Sequence, residues 1–265
     1  MTAAPVAEFR HARLAFGNRT LWDGLDLAIA PGEFVAVLGP NGSGKTSFLR
    51  ALLGQYPLTA GELEVTEAIG YIPQQHSDDA DPMALRGRDL VGFGVDGSSW
   101  GIGFFGRKRR RQLVDTALDE VGARAYADAP LGLLSGGEQQ RLRVAQALTG
   151  DPSLLLCDEP LASLDLTNQE LVVELIDTRR RTANTAVVFV THEINPVLPY
   201  VDRVLYLVDG RFRIGTPDEV MTSNTLSELY GSQIDVVRVN GRLVVLGGED
   251  AHHCVDHTIE ETQPQ

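Results

Sequence analysis

The sequence predicts an α/β fold with a mainly parallel β-sheet, an antiparallel β subdomain and an inserted α-helical subdomain. Three short apolar runs indicate parallel strands that are buried on both faces. They are Phe34–Leu38, Ser153–Cys157 and Ala186–Val190. Polar and apolar residues alternate from Val6 to Ala30, which predicts antiparallel strands. Glycines interrupt the stretch from 76 to about 133, and the apolar spacing on its flanks predicts helices there.

A glycine-rich loop follows the first apolar run directly. It reads Gly39-Pro40-Asn41-Gly42-Ser43-Gly44-Lys45-Thr46, and Ser47 then continues an amphipathic pattern that ends before Gly54. Glycines allow backbone N–H groups to turn toward phosphate oxygens, and a helix N-terminus favours an anion. The strand–loop–helix order therefore predicts a nucleotide site. In it, Lys45 reaches the β- and γ-phosphates and the Thr46 hydroxyl binds Mg²⁺.

Ionisable residues follow the other two apolar runs. Asp158, Glu159 and Pro160 come after the second run, and His192 follows the third. The carboxyl ends of parallel strands meet at one edge of a sheet, so these side chains are expected beside the glycine-rich loop. Phosphoryl transfer requires a carboxylate for the metal and a group that orients water. We expect Asp158 to bind Mg²⁺, Glu159 to act as the base, and His192 to hydrogen-bond the γ-phosphate.

Three further motifs accompany these residues in a fixed order. They are Gln74 in Tyr71-Ile72-Pro73-Gln74-Gln75, the run Leu134-Ser135-Gly136-Gly137-Glu138-Gln139-Gln140-Arg141, and Ser163-Leu164-Asp165. With this set the chain resembles the ATP-binding subunits of ABC transporters over about residues 6 to 230. In that family the three motifs correspond to the Q-loop, the signature and the D-loop.

The resemblance implies a P-loop NTPase (RecA-like) core that binds and hydrolyses ATP with Mg²⁺. It implies that catalysis rests on Glu159, His192, Gln74 and Lys45, and that the metal is held by Thr46, Gln74 and Asp158. Phe16 occupies the position of the family's adenine-stacking residue, which is more often Tyr. The nucleotide would also contact the whole loop from Gly39 to Ser47. Residues of a second copy would complete the site, namely Ser135, Gly136, Gly137 and Asp165, so the resemblance implies an ATP-dependent twofold dimer.

The predicted organisation has three parts. Residues 1–232 form the ATPase domain, with a helical subdomain over about 76–150 that contains helices at 83–91 and 112–121. Gln74 lies at the joint of this insert and is expected to convert phosphate occupancy into rotation of the insert. Residues 233–248 form a β-hairpin around an Asn-Gly turn, and residues 249–265 form an acidic, His-containing tail that is expected to be disordered.

Charge and composition limit the function classes. The formal net charge of −13 argues against a nucleic-acid binder, because attraction to phosphate backbones needs a positive surface. The basic run 107–111 is either a solvated helix start or a contact for anionic lipid or an acidic partner. The 2 cysteines form no disulfide framework. The sequence shows neither a spanning segment nor a leader, so the chain is expected to stay in the cytoplasm. The resemblance to ABC transporter subunits implies a peripheral position on the cytoplasmic face of the membrane.

The resemblance implies that transmembrane permease subunits, and an extracytoplasmic solute-binding protein, are partners. By overall likeness the chain is most similar to ATPases that import zinc, manganese, iron or metal chelates. His252, His253, Cys254 and His257 in the tail are zinc-type ligands, although their spacing fits no usual site. Two alternatives stay open. One is a soluble ABC ATPase acting in nucleic-acid, ribosome or iron–sulfur assembly, and the other is a nucleotide-binding regulator without turnover.

Overall fold

The structure is a computed structural model that describes residues 4–74, 85–97 and 106–247. Its strands, in chain order, are β1 (Ala7–Phe16), β2 (Arg19–Ile29), β3 (Phe34–Leu38), β4 (Ala60–Val65), β5 (Ile69–Ile72), β6 (Leu154–Asp158), β7 (Ala186–Val190), β8 (Arg203–Val208), β9 (Arg211–Gly215), β10 (Asp235–Val239) and β11 (Arg242–Leu246). Its helices are α1 (Lys45–Leu52), α2 (Gly87–Gly97), α3 (Gly106–Glu120), α4 (Gly136–Leu148), α5 (Leu166–Ala183), α6 (Pro217–Val220) and α7 (Ser223–Tyr230).

A six-stranded sheet forms the centre of the fold. Its strand order is β5-β6-β7-β3-β8-β9, and every neighbouring pair is parallel except β8 with β9. Every residue of β3, β6 and β7 is buried, which confirms the three predicted apolar strands. Their carboxyl ends therefore meet at one edge of the sheet, where the predicted site residues follow.

Each face of this sheet carries its own hydrophobic core. Alternate residues of β3 point to opposite faces, so Phe34 belongs to one core and Val35 to the other. The first core lies against the helices of the insert and of the C-terminal half. The second lies under α1 and a three-stranded antiparallel sheet of order β2-β1-β4, where Phe9 stacks on Phe48 with ring centroids 4.9 Å apart. The fold class is thus the predicted one.

The helical insert differs in detail from the prediction. Glycines were expected to interrupt the chain from Gly92 onward, yet α2 continues through Gly92 and Gly94 to Gly97. A Cβ on Gly94 would overlap the carbonyl oxygen of Gln146, so this glycine allows α2 to lie close to α4. The prediction of a break was wrong here because the glycines permit helix packing. Helix α3 begins at Gly106, earlier than the predicted 112. The predicted helix start at 83 lies outside the described residues.

Two hairpins and two short helices form the C-terminal part. Asp209 and Gly210 both have positive φ between β8 and β9, as do Asn240 and Gly241 between β10 and β11, which suits two-residue turns. Thr216 caps α6 with a capping box, and Pro217 occupies the first turn of this helix. The domain boundaries stay predictions. In the described part of the chain, no helix is both long and apolar enough to cross a bilayer.

Candidate nucleotide site

The glycine-rich loop joins β3 to α1 at the edge of the central sheet. Gly39, Gly42 and Gly44 have φ values of 142°, 78° and 104°, which disfavour any residue with a Cβ. A Cβ on Gly39 would also overlap the carbonyl oxygen of Leu207 in β8. The loop is thereby held tightly against the sheet, and Gly44 caps the N-terminus of α1. Backbone N–H groups at such a terminus form an anion site.

Lys45 and Ser43 lie buried within this loop. The Lys45 Nζ donates hydrogen bonds to the carbonyl oxygens of Gly39 at 2.7 Å and Pro40 at 3.0 Å. Burial lowers the pKa of Lys45, while Glu159 and Asp158 act in the opposite direction. The Ser43 hydroxyl is buried without a hydrogen-bond partner among the described residues. A buried polar group of this kind calls for a polar ligand, since leaving it unpaired costs free energy.

A carboxylate and a hydroxyl suited to a metal lie beside the loop. The Thr46 Oγ1 is 3.5 Å from Oδ1 of Asp158, which is 2% exposed at the end of β6. Burial raises the pKa of Asp158, and the neighbouring Glu159 raises it further. Mg²⁺ prefers hard oxygen ligands, and a buried carboxylate is stabilised by a cation. The donor set therefore fits Mg²⁺ through Thr46 and Asp158. The Gln74 amide instead bonds to Glu159.

Glu159 lies beside the two remaining polar groups of the site, Gln74 and His192. Its Oε2 accepts a hydrogen bond from Gln74 Nε2 at 3.1 Å and lies 3.7 Å from His192 Nδ1. Glu159 itself has a positive φ of 47°, and its N–H donates to the carbonyl oxygen of Val190 in β7. The nearby His192 lowers the pKa of Glu159, and Glu159 in turn raises the pKa of His192. The two opposite pKa shifts have one cause, which is the pairing of the Glu159 carboxylate with the His192 imidazole.

Most of these groups line one cleft of ≈ 1390 Å³, whereas the buried Ser43 and Asp158 are not among its lining residues. The members from the predicted set are Phe16, Gly39, Pro40, Asn41, Gly42, Gly44, Lys45, Thr46, Ser47, Gln74, Glu159 and His192. Phe16 is 47% exposed, and its ring meets the edge of Tyr56 with centroids 5.1 Å apart. Arg19 also lines the cleft and donates from Nη2 to the Gly42 carbonyl oxygen at 2.6 Å. Arg19 was not among the predicted site residues, because the sequence marks it only as a basic residue shortly after Phe16.

The residues that are predicted to act on the ATP of a second copy lie outside this cleft. Ser135 caps α4, and its side chain exchanges capping-box hydrogen bonds with Glu138. Asp165 caps α5 and accepts a hydrogen bond from Asn168 N at 2.9 Å. Neither these residues nor Gly136 and Gly137 line the cleft. One chain therefore brings together the loop, both carboxylates, Gln74 and His192. The glycine turn at the start of α4, which we define as Ser135, Gly136 and Gly137, lies outside the cleft.

The fold and the cleft together define a P-loop nucleotide-binding ATPase. Residues 22–162 match the family model described as "ABC transporter". The chain therefore belongs to the ABC transporter family, as an ATPase. The resemblance to this family that its motifs predict is confirmed.

Three relatives carry named transport roles. The chain is 39% identical to the aliphatic sulfonates import ATP-binding protein SsuB 1 of Pseudomonas fluorescens, over 78% of this chain and 74% of that protein. It is 36% identical to the hemin import ATP-binding protein HmuV of Rhodopseudomonas palustris, over 83% and 86%. It is 33% identical to the zinc import ATP-binding protein ZnuC of Pseudomonas entomophila, over 92% and 87%.

Solved structures resemble the fold as well. One is an ABC transporter provisionally assigned to the metal-chelate type, in an inward-facing conformation. It has a TM-score of 0.78 and 28% identity, over 91% of this chain and 96% of the other. Another is a dimeric ATP-binding cassette in a post-hydrolysis state with ADP and phosphate. It has a TM-score of 0.67 and 25% identity, over 79% and 98%.

Proposed function

We propose that the chain hydrolyses ATP to energise import through a membrane permease. The observation that carries this proposal is the meeting of Gln74 and His192 on one carboxylate, Glu159, beside the phosphate loop. A site that only bound nucleotide would have no need of a base and two orienting groups around it. The relatives named above are import ATP-binding proteins.

In the proposed reaction the loop binds the triphosphate and Glu159 activates water. Backbone N–H groups of the loop and the Lys45 ammonium hold the β- and γ-phosphates, and Phe16 stacks on adenine. Glu159 accepts the proton of the attacking water, because its carboxylate is ionised at neutral pH and lines the cleft. His192 and Gln74 position that water and the γ-phosphate relative to Glu159.

We propose that Mg²⁺ is held by Thr46, Asp158 and Gln74. When bound, the metal neutralises charge on the β- and γ-phosphates. Thr46 and Asp158 are already adjacent, at 3.5 Å. The Gln74 amide oxygen would join them after its amide has turned, because Gln74 Nε2 now donates to Glu159.

We propose that two copies enclose each ATP. The helix α4 presents its N-terminus and the glycine turn of Ser135, Gly136 and Gly137 on a surface outside the cleft. A helix N-terminus favours phosphate, so a second copy could supply this turn and Asp165 across the nucleotide. One solved relative of this fold is dimeric. The permease subunits would dock on the dimer, which places the chain at the cytoplasmic face of the membrane, with an extracytoplasmic solute-binding protein delivering the cargo.

We propose that the cargo is a metal ion or a metal chelate, of zinc, manganese or iron. Two relatives import zinc and hemin, and the solved structure with the TM-score of 0.78 is assigned to the metal-chelate type. The relative at 39% identity imports aliphatic sulfonates, which is the competing cargo class. The histidine cluster of the tail lies outside the described residues and gives no support.

The test is uptake by the complete transporter in vesicles. The chain is purified from membranes in mild detergent, its companions are identified, and the complex is reconstituted with ATP inside the vesicles. Uptake of Zn²⁺, Mn²⁺, Fe²⁺, hemin and an alkanesulfonate is compared, with the Glu159→Gln complex as the matched control. ATP-dependent uptake of a metal or chelate is expected. Uptake of the sulfonate alone would refute the proposal of a metal cargo. Recovery of the chain with ribosomes or DNA instead of a permease would refute the transport role.

A further inference from the structure

His192 lies on a short exposed arch between two buried ends. We define the arch as residues 191–195. Its first end is Thr191, whose N–H donates to the carbonyl oxygen of Val37 in β3 at 3.2 Å and whose hydroxyl bonds to the backbone of Glu193. His192 and Glu193 are exposed at the top, and Ile194 is again buried. The position of the His192 ring therefore depends on what holds the second end.

The second end is held by the C-terminal hairpin. The Asn195 side-chain amide donates from Nδ2 to the carbonyl oxygen of Leu243 at 2.9 Å and accepts at Oδ1 from the N–H of Leu243 at 2.8 Å. A two-residue turn at Asn240-Gly241 makes Val239 and Arg242 the hydrogen-bonded pair of the hairpin. The next residue, Leu243, then has its backbone groups directed away from β10. The Asn195 amide satisfies both groups as a strand neighbour would.

The hairpin is itself fixed to the rest of the chain. The N–H groups of Ile234 and Val236 donate to the hydroxyls of Ser227 and Ser223, each at 2.9 Å. The Leu243 side chain is 6% exposed and belongs to the larger core. Because α7 also packs on β9 of the central sheet, the hairpin joins the arch to a rigid part of the fold. Leu243, Val244 and Val245 of β11 also line the nucleotide cleft.

We propose that Asn195 is a positioning residue for ATP hydrolysis, which acts by holding the His192 arch against the C-terminal hairpin. The proposal rests on the function proposed above for His192. Releasing the second end lets the imidazole move away from the Glu159 carboxylate, which lies 3.7 Å from it. The triphosphate is bound by the loop, which is on a different segment, so the main effect is expected on kcat; because Asn195 and Leu243 also line the cleft, ATP affinity is measured separately.

The test is a double-mutant cycle on the full chain with Mg²⁺ and ATP. The variants are Asn195→Ala, His192→Ala and both together, with kcat, KM and ATP affinity measured for each. Asn195→Ala is expected to lower kcat by about tenfold or more, as small misplacements of catalytic groups do, with KM changed by less than about twofold. Asn224→Ala, the same change at an exposed position of α7, is the matched control and keeps the wild-type values.

The cycle separates the inference from the proposed function. If Asn195 acts through His192, the double variant is as slow as His192→Ala alone. Multiplied losses in the double variant, or a raised KM at unchanged kcat, overturn the inference and leave His192 catalytic. An unchanged rate for His192→Ala overturns the proposed role of His192. If Asn195→Ala does not fold, the cycle is repeated with Asn195→Asp, which keeps the size of the side chain. Its carboxylate cannot donate to the Leu243 carbonyl oxygen, so one of the two hydrogen bonds is lost.

Discussion

Replacing Glu159 by Gln removes the proposed general base but keeps the size and position of the side chain. The amide oxygen of the new side chain can still accept the hydrogen bond that Gln74 Nε2 now gives to Glu159 at 3.1 Å. The change therefore keeps the size of the side chain and one of its partners. What is lost is the basicity of the carboxylate and its charge beside His192, whose Nδ1 lies 3.7 Å away.

The expected loss follows from the role of a general base. Such a group contributes about 10²–10⁴ in rate, which is roughly 2.7–5.4 kcal/mol of barrier at 1.36 kcal/mol per factor of ten. The loop that binds the triphosphate is unchanged, so ATP affinity should stay within about twofold of wild type. Phosphate release under saturating Mg²⁺-ATP measures the rate, and equilibrium titration with ATP measures the affinity.

The matched control is Glu174→Gln, the same substitution at an exposed position of α5. It should leave both quantities unchanged. A decline of only severalfold for Glu159→Gln would refute the reasoning, because water would then be activated by another group. A large loss of ATP affinity would also refute it, since the carboxylate would then serve binding more than chemistry.

Three further predictions concern affinity, packing and pH. Lys45→Ala should abolish measurable ATP binding in an equilibrium titration, because the buried ammonium of the loop is lost; near-normal affinity would contradict its placement. Gly94→Ala should lower the free energy of unfolding by about 1–3 kcal/mol, as overpacking does, whereas Gly106→Ala, with open space around it, should not; equal denaturant midpoints would contradict the close packing of α2. The pKa of His192 is raised from 6.5 and that of Glu159 is lowered from 4.5. The Glu159–His192 pair therefore contributes its full stabilisation of the fold between pH 4.5 and pH 6.5. This contribution is lost as pH rises through the raised pKa of His192, and also as pH falls through the lowered pKa of Glu159. The stability difference between wild type and His192→Ala, measured from pH 3 to 9, should be largest in that window, and a flat difference would contradict the pair.

Local patterns were sufficient to predict the core of the fold and one half of the site. The apolar runs specify strands because a strand buried on both faces admits no polar side chain. Once the strands are parallel, their ends place Asp158, Glu159 and His192 beside Lys45 without further information. The glycine-rich loop is equally local, since its backbone needs positive φ at fixed positions.

The features that the sequence could not predict depend on contacts between distant segments. The helical course of α2 through Gly94 depends on the approach of Gln146, more than fifty positions later. Arg19 enters the cleft because its guanidinium meets the Gly42 carbonyl oxygen. The bond between Asn195 and Leu243 joins a loop to the free edge of a hairpin. In each case the partner is set by the tertiary structure.

The central claim is that each complete ATP site contains residues of two chains, and mixing two inactive variants tests it most directly. Lys45→Ala disables the phosphate loop of one chain. Gly136→Asp disables the glycine turn of the other by placing a carboxylate opposite phosphate, and the nearest atom to its Cβ would be 3.7 Å away, so the helix can form. Each variant alone should be inactive. Together they should recover ATPase activity, because one of the two sites in a mixed dimer has both parts intact; a mixture as inactive as its components would contradict the claim.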